Sequence, residues 1–357
     1  MKVPRFSEPS KIHGVVKRPT IADIAREAGV SKGAVSYALN GQPGVSEATR
    51  QRILTIAEQI GWKANSAARA LSGASAGAIG LALCRPARIL GVEPFFMELI
   101  SGIEAALSAR ACGLMLQVVR DHDAEIAVYE RWWGERRVDG VLVVDVRVED
   151  RRLDVLRELQ LPAVAIAGPG DFHGVPSVWS DDAAAITEAV EYLVALGHRT
   201  IARVGGLPDL LHTAIRTEAF GAVCQRLDVQ HAVTVPSDYT GEEGSRATRR
   251  LLSSTPRPTA IIYDNDIMAV AGLAVSQEMG LAVPADLSIV AWDDSVLCSL
   301  VHPPLTALSR DVPAYGTKAA HQLLALIADG TAENVQDETA HLVPRGSTAR
   351  PSPTPTR

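Results

Sequence analysis

The sequence predicts an α/β protein in which an N-terminal helix-turn-helix head precedes a two-lobed core with parallel sheets. Two amphipathic helical segments joined by a glycine indicate the head, and a long alternation of apolar strands with helices indicates the core. The chain has 357 residues, of which 47% are hydrophobic and 21% charged. That length favours two or three domains, and that composition is ordinary for a globular protein.

The head is predicted over residues 19–62. Thr20 can cap its first helix and Ser31 its second, while Gly29 supplies the left-handed conformation that ends the first. Helical spacing places four apolar residues on one stripe of the first helix: Ile21, Ile24, Ala25 and Ala28. The pattern is typical of a unit that inserts its second helix into the major groove of DNA, although an ordinary helical hairpin has the same features.

The core is predicted over residues 78–348. Short apolar segments are predicted strands: 78–83, 114–119, 140–144, 163–166, 201–204, 260–263 and 288–291. Segments between them are predicted helices: 96–110, 183–196, 216–227, 244–252 and 267–279. This alternation predicts parallel sheets covered by helices, and about 270 residues are too many for one sheet, so we expect two similar lobes. Such sheets bind ligands at the carboxyl ends of their strands.

Charge is divided unevenly along the chain. The net charge is −6, yet the first 75 residues carry 11 Lys and Arg against 5 Asp and Glu, a net +6 that leaves −12 for the rest. A basic end on an acidic body predicts phosphate contact through that end only, although a chance cluster of solvated charges has the same appearance. Residues 1–18 are predicted to form a flexible arm, either a plain extension or a source of non-specific DNA affinity.

Several classes of protein are disfavoured by what the sequence lacks. The four cysteines are widely spaced without a CxxC pair, which predicts reduced thiols rather than disulfides or a metal site. No segment has the apolar length of a signal-peptide core or a membrane span, so we expect a soluble, cytoplasmic protein. Neither a metal-spaced His, Cys and Glu cluster nor a nucleophile elbow nor a Walker loop occurs, so we expect no catalytic residues, no metal and no cofactor.

Motifs spread in order along the chain resemble those of one family. They occupy residues 20–41, 44–50, 61–71, 93–96, 138–141, 196–199, 264–269, 283–294, 303–306 and 345–348. With these motifs the chain resembles the LacI/GalR family of bacterial transcription regulators from about Pro19 to Thr348. The resemblance implies a periplasmic-binding-protein-like core, with three crossovers between its lobes and a ligand in the cleft.

The resemblance also assigns DNA-reading roles within the head. Residues that match the family's phosphate contacts are Thr20, Ser31, Ser36 and Asn40, and residues at or next to its base-reading positions are Lys32, Gly33, Ala34 and Tyr37. Tyr37 stands where an Arg often sits and Gly33 has no side chain, so the half-site of better-known members does not transfer to this chain. Simple solvent exposure is the alternative for Lys32 and Tyr37.

Residues 63–77 are predicted to be a hinge helix and linker. A helix of seven or eight residues is shorter than the roughly 12–15 that an isolated helix needs in water. The resemblance implies that it folds against DNA, where Leu71 wedges into the central base step, Ala68 makes the closest approach and Asn65 begins the helix. The alternative is a flexible linker with a chance leucine. Two heads and a paired wedge require a homodimer on a pseudo-palindromic operator.

In the core, the resemblance predicts an effector site. Arg216 matches the arginine that binds the effector in this family, and Asp293 matches the acidic residue that binds it. Asn265 can donate and accept hydrogen bonds in the same cleft. Three aromatic residues are candidate walls for stacking on a sugar or a base: Phe95, Phe96 and Tyr239. Packing in the core is the alternative role for each of them.

The prediction is a ligand-responsive, sequence-specific DNA-binding transcription regulator, expected to repress carbohydrate-utilisation genes and to bind a sugar effector. Effector binding would move the lobes and change DNA affinity, with either sign. The alternatives are a core that responds to a non-sugar ligand or a partner protein, an enzyme, and a transport binding protein. Residues 349–357 are predicted to be a disordered tail, and because that tail lacks a leucine heptad we expect a dimer.

Overall fold

The computed structural model describes residues 19–62, 75–85 and 90–352. The chain divides into two compact units, Met1–Gly73 and Ala74–Arg357. The predicted arm, the last five residues of the predicted tail and the three hinge candidates lie outside the described residues: Asn65, Ala68 and Leu71.

Three helices form the head: α1 (Ile21–Ala28), α2 (Lys32–Leu39) and α3 (Glu47–Gln59). Thr20 caps α1 in a capping box with Asp23, and hydrogen bonds from Thr20 lower the pKa of Asp23 to about 2. Gly29 ends α1 with φ of 64°, and the Ser31 hydroxyl accepts a hydrogen bond from the Ala34 amide at 3.1 Å. The predicted helix caps and turn are therefore confirmed.

All three helices contribute to the apolar centre of the head. The buried side chains there are Ile24, Ala25, Ala28, Val35, Ala38, Ile53 and Ala57. Ile21, which the spacing places on the apolar stripe of α1, packs against this centre while remaining partly exposed, and so does Leu39 of α2.

The described part of the core contains twelve strands: β1 (Ala78–Leu83), β2 (Gly113–Val118), β3 (Gly140–Val143), β4 (Ala163–Ala167), β5 (Ser177–Trp179), β6 (Thr200–Gly205), β7 (His231–Pro236), β8 (Ala260–Tyr263), β9 (Ser288–Trp292), β10 (Thr306–Ser309), β11 (Val335–Gln336) and β12 (His341–Val343). The helices around them are α4 (Pro94–Ser108), α5 (His122–Gly134), α6 (Arg151–Glu158), α7 (Asp182–Leu196), α8 (Leu211–Arg226), α9 (Gly241–Leu252), α10 (Asp266–Glu278), α11 (Val296–Leu300) and α12 (Val312–Asp329).

These strands form two six-stranded sheets, one in each lobe, which confirms the predicted architecture. The order is β11-β5-β4-β3-β1-β2 in the first lobe and β12-β10-β9-β8-β6-β7 in the second. Every pairing is parallel except that of β12 with β10. The chain passes between the lobes three times, at 180–181, 310–311 and 337–340, as the resemblance implies.

The seven predicted strands exist, with small shifts at their ends, while β5, β7, β10, β11 and β12 were not predicted. Some of these are very short, and β7 at a sheet edge has only half-buried and exposed positions, so it lacks the continuous apolar run of a central parallel strand. Tertiary pairing, rather than an apolar pattern, makes these segments strands.

Both predicted boundaries of the core need correction. The predicted linker extended to residue 77, but the Asp139 carboxylate accepts hydrogen bonds from the amides of Ala76 at 2.6 Å and Gly77 at 2.7 Å. The predicted tail began at residue 349, but the Ala349 carbonyl lies 2.9 Å from Nε2 of His198, and the Ser352 hydroxyl donates to the Ala285 carbonyl at 2.7 Å. These hydrogen bonds thus tie residues 76–77 at one end and 349–352 at the other to the folded core.

The described residues contain no helix that is both long and apolar enough to cross a membrane. The four cysteines are free thiols, of which Cys224 and Cys298 are buried and Cys84 and Cys112 are partly exposed.

Helices α4 and α12 pack with their backbones in contact in the first lobe. A Cβ atom added at Gly102 of α4 would lie 1.9 Å from the Pro313 carbonyl oxygen, and one added at Gly316 of α12 would lie 2.3 Å from the Leu99 carbonyl oxygen. Neither contact can be relieved by turning a side chain, because both involve backbone atoms. Glycine at these two positions is therefore required for the packing of the lobe.

We predict that Gly102→Ala destabilises the protein by about 2–4 kcal/mol, since the methyl group forces α4 and α12 apart. Gly221→Ala is the matched control, because its Cβ would meet nothing within 4 Å and alanine favours a helix. Urea denaturation of both variants measures the difference. Equal stability of the two variants would contradict the close packing.

Candidate functional site

The surface of α2 presents the predicted base-reading residues to solvent. Lys32, Gly33 and Tyr37 are exposed, and Tyr37 is 48% exposed. The Tyr37 ring lies against Gly44, where a Cβ atom would be 3.3 Å from Cδ2 of the ring. The missing side chain at Gly44 therefore leaves room for the aromatic ring on this surface.

The predicted phosphate contacts already have structural roles in the head. The Thr20 hydroxyl donates to the Asp23 carboxylate at 2.6 Å, so it must leave Asp23 to donate to a phosphate. The Ser31 hydroxyl accepts from the Ala34 amide and keeps its own proton available. The Asn40 amide nitrogen lies 3.4 Å from the Ser36 hydroxyl oxygen. Partly exposed Ala34 thus serves the cap of α2 through its backbone.

A pocket lies between the two lobes of the core, at the carboxyl ends of the parallel strands. Residues that follow strand ends line it: Arg85 after β1, Asp145 after β3, Asp264 and Asn265 after β8, and Asp293 after β9. The space free of protein atoms is about 630 Å³, including the mouth open to solvent. This position and size are those expected of a ligand site in such a fold.

All six predicted effector residues line this one pocket, although they are far apart in sequence: Phe95, Phe96, Arg216, Tyr239, Asn265 and Asp293. Their role in binding remains a prediction, and their contacts differ in what they leave available to a ligand.

Arg216 is paired with an acid that the sequence analysis did not select. Its Nε donates to Asp182 at 2.8 Å, and its guanidinium group lies 3.5 Å from the centre of the Trp292 ring. Asp182 begins α7 and Arg216 lies on α8, so this ion pair also joins two helices of the second lobe. The salt-bridge partner of Asp293 is Arg310, not Arg216.

Asn265 and Tyr239 are largely occupied by the protein itself. The Asn265 side chain accepts from the Met268 amide at 2.9 Å, which caps α10, and donates to the Tyr239 carbonyl at 3.0 Å. The Tyr239 hydroxyl lies 2.7 Å from Nε2 of His212 and 2.9 Å from the Thr213 hydroxyl. Both residues therefore shape the pocket wall and keep little free hydrogen-bonding capacity.

The aromatic walls are also packed. Phe96 is buried and meets partly exposed Phe95 edge to face, with ring centres 5.3 Å apart. The Arg85 guanidinium lies 5.4 Å from the Phe96 ring centre and 4.9 Å from that of Tyr239. Phe96 and Tyr239 thus combine core packing with a place at the pocket, and Phe95 is the more accessible of the three.

Three buried polar atoms of the pocket have no hydrogen-bond partner among the described residues: Oε2 of Glu93, Oδ1 of Asp293 and Nε of Arg310. The shortest distance between Arg310 and Asp293 is 3.8 Å, from Nη2 to Oδ1. Burial raises the pKa of Glu93 to about 7 and that of Asp293 to about 6. These atoms are therefore the unsatisfied polar groups of the pocket lining, and such groups typically mark functional sites.

Loops from the two lobes meet beside the pocket. The Leu211 amide donates to the Val146 carbonyl at 2.8 Å, the Val148 amide donates to the Asp209 carbonyl at 3.1 Å, and Arg147 forms an ion pair with Asp209. These contacts hold the first lobe against the second where the cleft would open.

Sequence reasoning missed Arg85, Glu93, Asp145, Asp182 and Arg310, all of which line the pocket. The sequence did mark two of these positions, because Arg85 and Asp145 come within two residues of the ends of predicted strands. Glu93 belongs to a quoted motif but precedes a helix rather than following a strand. Its burial depends on how the lobes meet, which local pattern does not show.

The helix-turn-helix head and the two-lobed core with a charged pocket define a DNA-binding transcription regulator. Residues 20–65 match the family model of bacterial regulatory proteins, lacI family, and residues 190–348 match a periplasmic binding protein-like domain. The regulator CelR of Thermobifida fusca is 30% identical over 330 residues, which cover 90% of this chain and 95% of CelR. The chain belongs to the LacI family of bacterial regulatory proteins, and it is a regulator rather than an enzyme.

Solved structures agree with this assignment. A complex of the transcriptional regulator CelR with cellobiose has a TM-score of 0.70 and 28% identity, covering 92% of this chain and 100% of that one. The lac repressor dimer bound to operator and the anti-inducer ONPF has a TM-score of 0.80 and 25% identity, covering 93% of this chain and 100% of that one. Among the described residues, no cluster of His, Cys, Asp and Glu is arranged to hold a metal ion.

We predict that Glu93→Gln stabilises the protein without added ligand at pH 8 by about 1–3 kcal/mol, because an ionised, partly unpaired buried carboxylate is replaced by an amide. The pKa of the Glu93 carboxyl is about 7 in the folded protein, against an ordinary value of 4.5. As pH falls through 7, the folded protein therefore takes up a proton that the unfolded chain does not, and the free energy of unfolding rises. The advantage of the variant should therefore shrink toward pH 5.

Chemical denaturation between pH 5 and pH 8 measures this difference. Glu218→Gln, at an exposed position of α8, is the control and should show no such dependence. A Glu93→Gln variant that is less stable than the native protein at every pH would show that the fold needs the carboxylate.

Proposed function

We propose that this regulator binds a pseudo-palindromic operator as a homodimer, represses genes of carbohydrate use and is controlled by a sugar bound between its lobes. The observation that carries the proposal is the convergence of six effector candidates, distant in sequence, on one inter-lobe pocket that retains unpartnered polar atoms. A protein of this kind meets its operator in the bacterial cytoplasm, which is where we place it.

The DNA part of the proposal is supported by the exposed face of α2 and by the lac repressor, which was solved on its operator as a dimer. Lys32 and Tyr37 are the side chains of that face with the reach to contact bases. The hinge residues Asn65, Ala68 and Leu71 are proposed as the minor-groove element on the resemblance alone.

Dimerisation is supported by exposed apolar side chains on both lobes. Val92 and Met97 are each 60% exposed in the first lobe, while Val296 and Leu300 are 62% and 73% exposed in the second. Val296 and Leu300 are four residues apart on α11, so they lie on one face of that helix, and a partner covering this face would remove both from water. A second copy of the chain is the partner that a two-fold operator requires.

A sugar effector is supported by the chemistry of the pocket and by CelR, which was solved with cellobiose. Hydroxyl groups can donate to the free carboxylate oxygens of Glu93 and Asp293 and accept from Nε of Arg310. The accessible Phe95 ring offers an apolar face beside these polar groups.

For DNA reading, we predict that full-length protein selects a palindrome with a pliable central step, such as CG, from random duplex DNA. Tyr37→Ala should weaken binding to that site by roughly 1–3 kcal/mol and relax the preference at one base position of each half-site. Glu58→Ala, at an exposed position of α3, is the control and should select the native site. Identical selection by Tyr37→Ala would show that Tyr37 is merely exposed.

For the effector, we predict that sugars which change operator affinity lose their effect in Asp293→Asn, since the amide replaces an acceptor-only carboxylate with a group that also donates. Operator affinity without sugar should stay native, because Asp293 lies in the core. Fluorescence anisotropy with labelled operator, with Glu218→Gln as the control, measures both quantities. A native response in Asp293→Asn would place the effector elsewhere.

A further inference from the structure

Two of the three arginines that line the pocket are paired with acids of the protein at hydrogen-bond distance. Arg85 donates from Nε and Nη2 to Asp145 at 2.9 and 3.2 Å. Arg216 donates to Asp182 at 2.8 Å, and its Nη1 lies 4.0 Å from Asp264. An arginine whose charge is neutralised at hydrogen-bond distance attracts an incoming anion weakly.

Carboxylates, by contrast, remain without full compensation. Glu93 is 6% exposed and its Oε2 has no partner among the described residues. Oδ1 of Asp293 also lacks a hydrogen bond, and Arg310 is 3.8 Å away. Among the arginines that line the pocket, only Arg310 has an Nε without a hydrogen-bond partner. Its guanidinium carbon lies 5.2 Å from the ring centre of Phe95 and 5.1 Å from that of Tyr315.

The balance of charge in the lining is negative. Its carboxylates are Glu93, Asp145, Asp182, Asp264 and Asp293, and its guanidinium groups are those of Arg85, Arg216 and Arg310. Arg203, which binds Asp264 from behind the pocket, removes only one of the two excess negative charges. His212 adds no positive charge near neutral pH, since burial and the adjacent Arg216 lower its pKa to about 4.

We infer that the pocket binds a hydroxyl-rich effector without negative charge, and that Glu93 and Asp293 exclude phosphorylated and carboxylated sugars. This inference rests on the proposed function and specifies the class of its ligand. A neutral sugar donates hydroxyl hydrogens to the two carboxylates, and an amino sugar adds an ammonium group that one of them neutralises. A phosphate or carboxylate would instead be buried beside Glu93 and Asp293, and Arg310 could receive it only by giving up its ion pair with Asp293.

The test uses full-length protein and sugars matched for shape but different in charge. Glucose, galactose and mannose are each compared with the 2-amino, 6-phosphate and uronic acid forms, and cellobiose and maltose are compared with their aldonic acids. Calorimetry and thermal shift measure binding at pH 7.5. The expected result is binding of neutral or amino members, with the anionic counterpart of each ligand weaker by on the order of a hundredfold.

A variant separates the charge effect from general damage to the pocket. Glu93→Gln keeps an oxygen acceptor but removes the negative charge and adds a hydrogen-bond donor. The ratio of the affinity for a neutral sugar to the affinity for its anionic counterpart should therefore fall about tenfold, which corresponds to 1.4 kcal/mol. Glu218→Gln is the matched control outside the pocket and should keep the native ratio.

The outcomes distinguish this inference from the proposed function. Anionic sugars that bind as tightly as their neutral partners, or more tightly, overturn the charge selection while the cleft remains an effector site. A ratio that stays native in Glu93→Gln overturns the role given to Glu93. Absence of binding by every member of the panel overturns the proposed sugar effector, and the charge selection with it.

Discussion

The need to neutralise buried charge organises the centre of the core. Arg203 on β6 and Asp264 after β8 have fully buried side chains and are hydrogen-bonded at 2.7 Å. Arg216 and Asp182 connect α8 to α7 in the same way. Removing one member of such a pair leaves an unpaired buried charge, which typically costs about 3–5 kcal/mol. Because each pair joins different elements, these ion pairs hold the second-lobe wall of the pocket in place.

The same constraint extends to the boundary between the lobes. Asp145 binds Arg85 within the first lobe, and two residues later Arg147 pairs with Asp209 of the second. Two backbone hydrogen bonds accompany that contact, and Arg85 also lies over the Tyr239 ring of the second lobe, so separating the lobes breaks these interactions. Such contacts are worth about 1 kcal/mol each, so a ligand that touches both lobes has enough binding energy to shift their closure.

The fold was predictable because its central strands and helices carry strong local patterns. The apolar segments of β1, β8 and β9 and the capped α1 and α2 are each visible without tertiary information. Edge strands such as β7 and β11 were not visible, because pairing rather than apolar pattern makes them strands. Sequence pattern alone therefore locates the strands that carry a clear apolar run and misses several that are short or half-exposed.

The residues of the pocket also differ in whether the sequence could predict them. Positions that match family motifs, such as Arg216 and Asp293, converge on the pocket as the resemblance implies. Their partners do not follow from sequence, since Asp182 and Arg310 reach the pocket from the segments where the chain crosses between lobes. Three-dimensional packing decides which polar atoms of the pocket lack a hydrogen-bond partner, and therefore which groups are left for a ligand to bind.

The positive charge of the N-terminal region lies outside the helix-turn-helix head. Within residues 19–62, Lys and Arg equal Asp and Glu in number, so the net +6 of the first 75 residues resides entirely in 1–18 and 63–75. If α2 enters the major groove as proposed, the folded head contributes hydrogen bonds and shape, while the charge available to release counterions from DNA lies in the flanking segments. Since the rest of the chain carries −12, repulsion from phosphate also favours approach through the basic end.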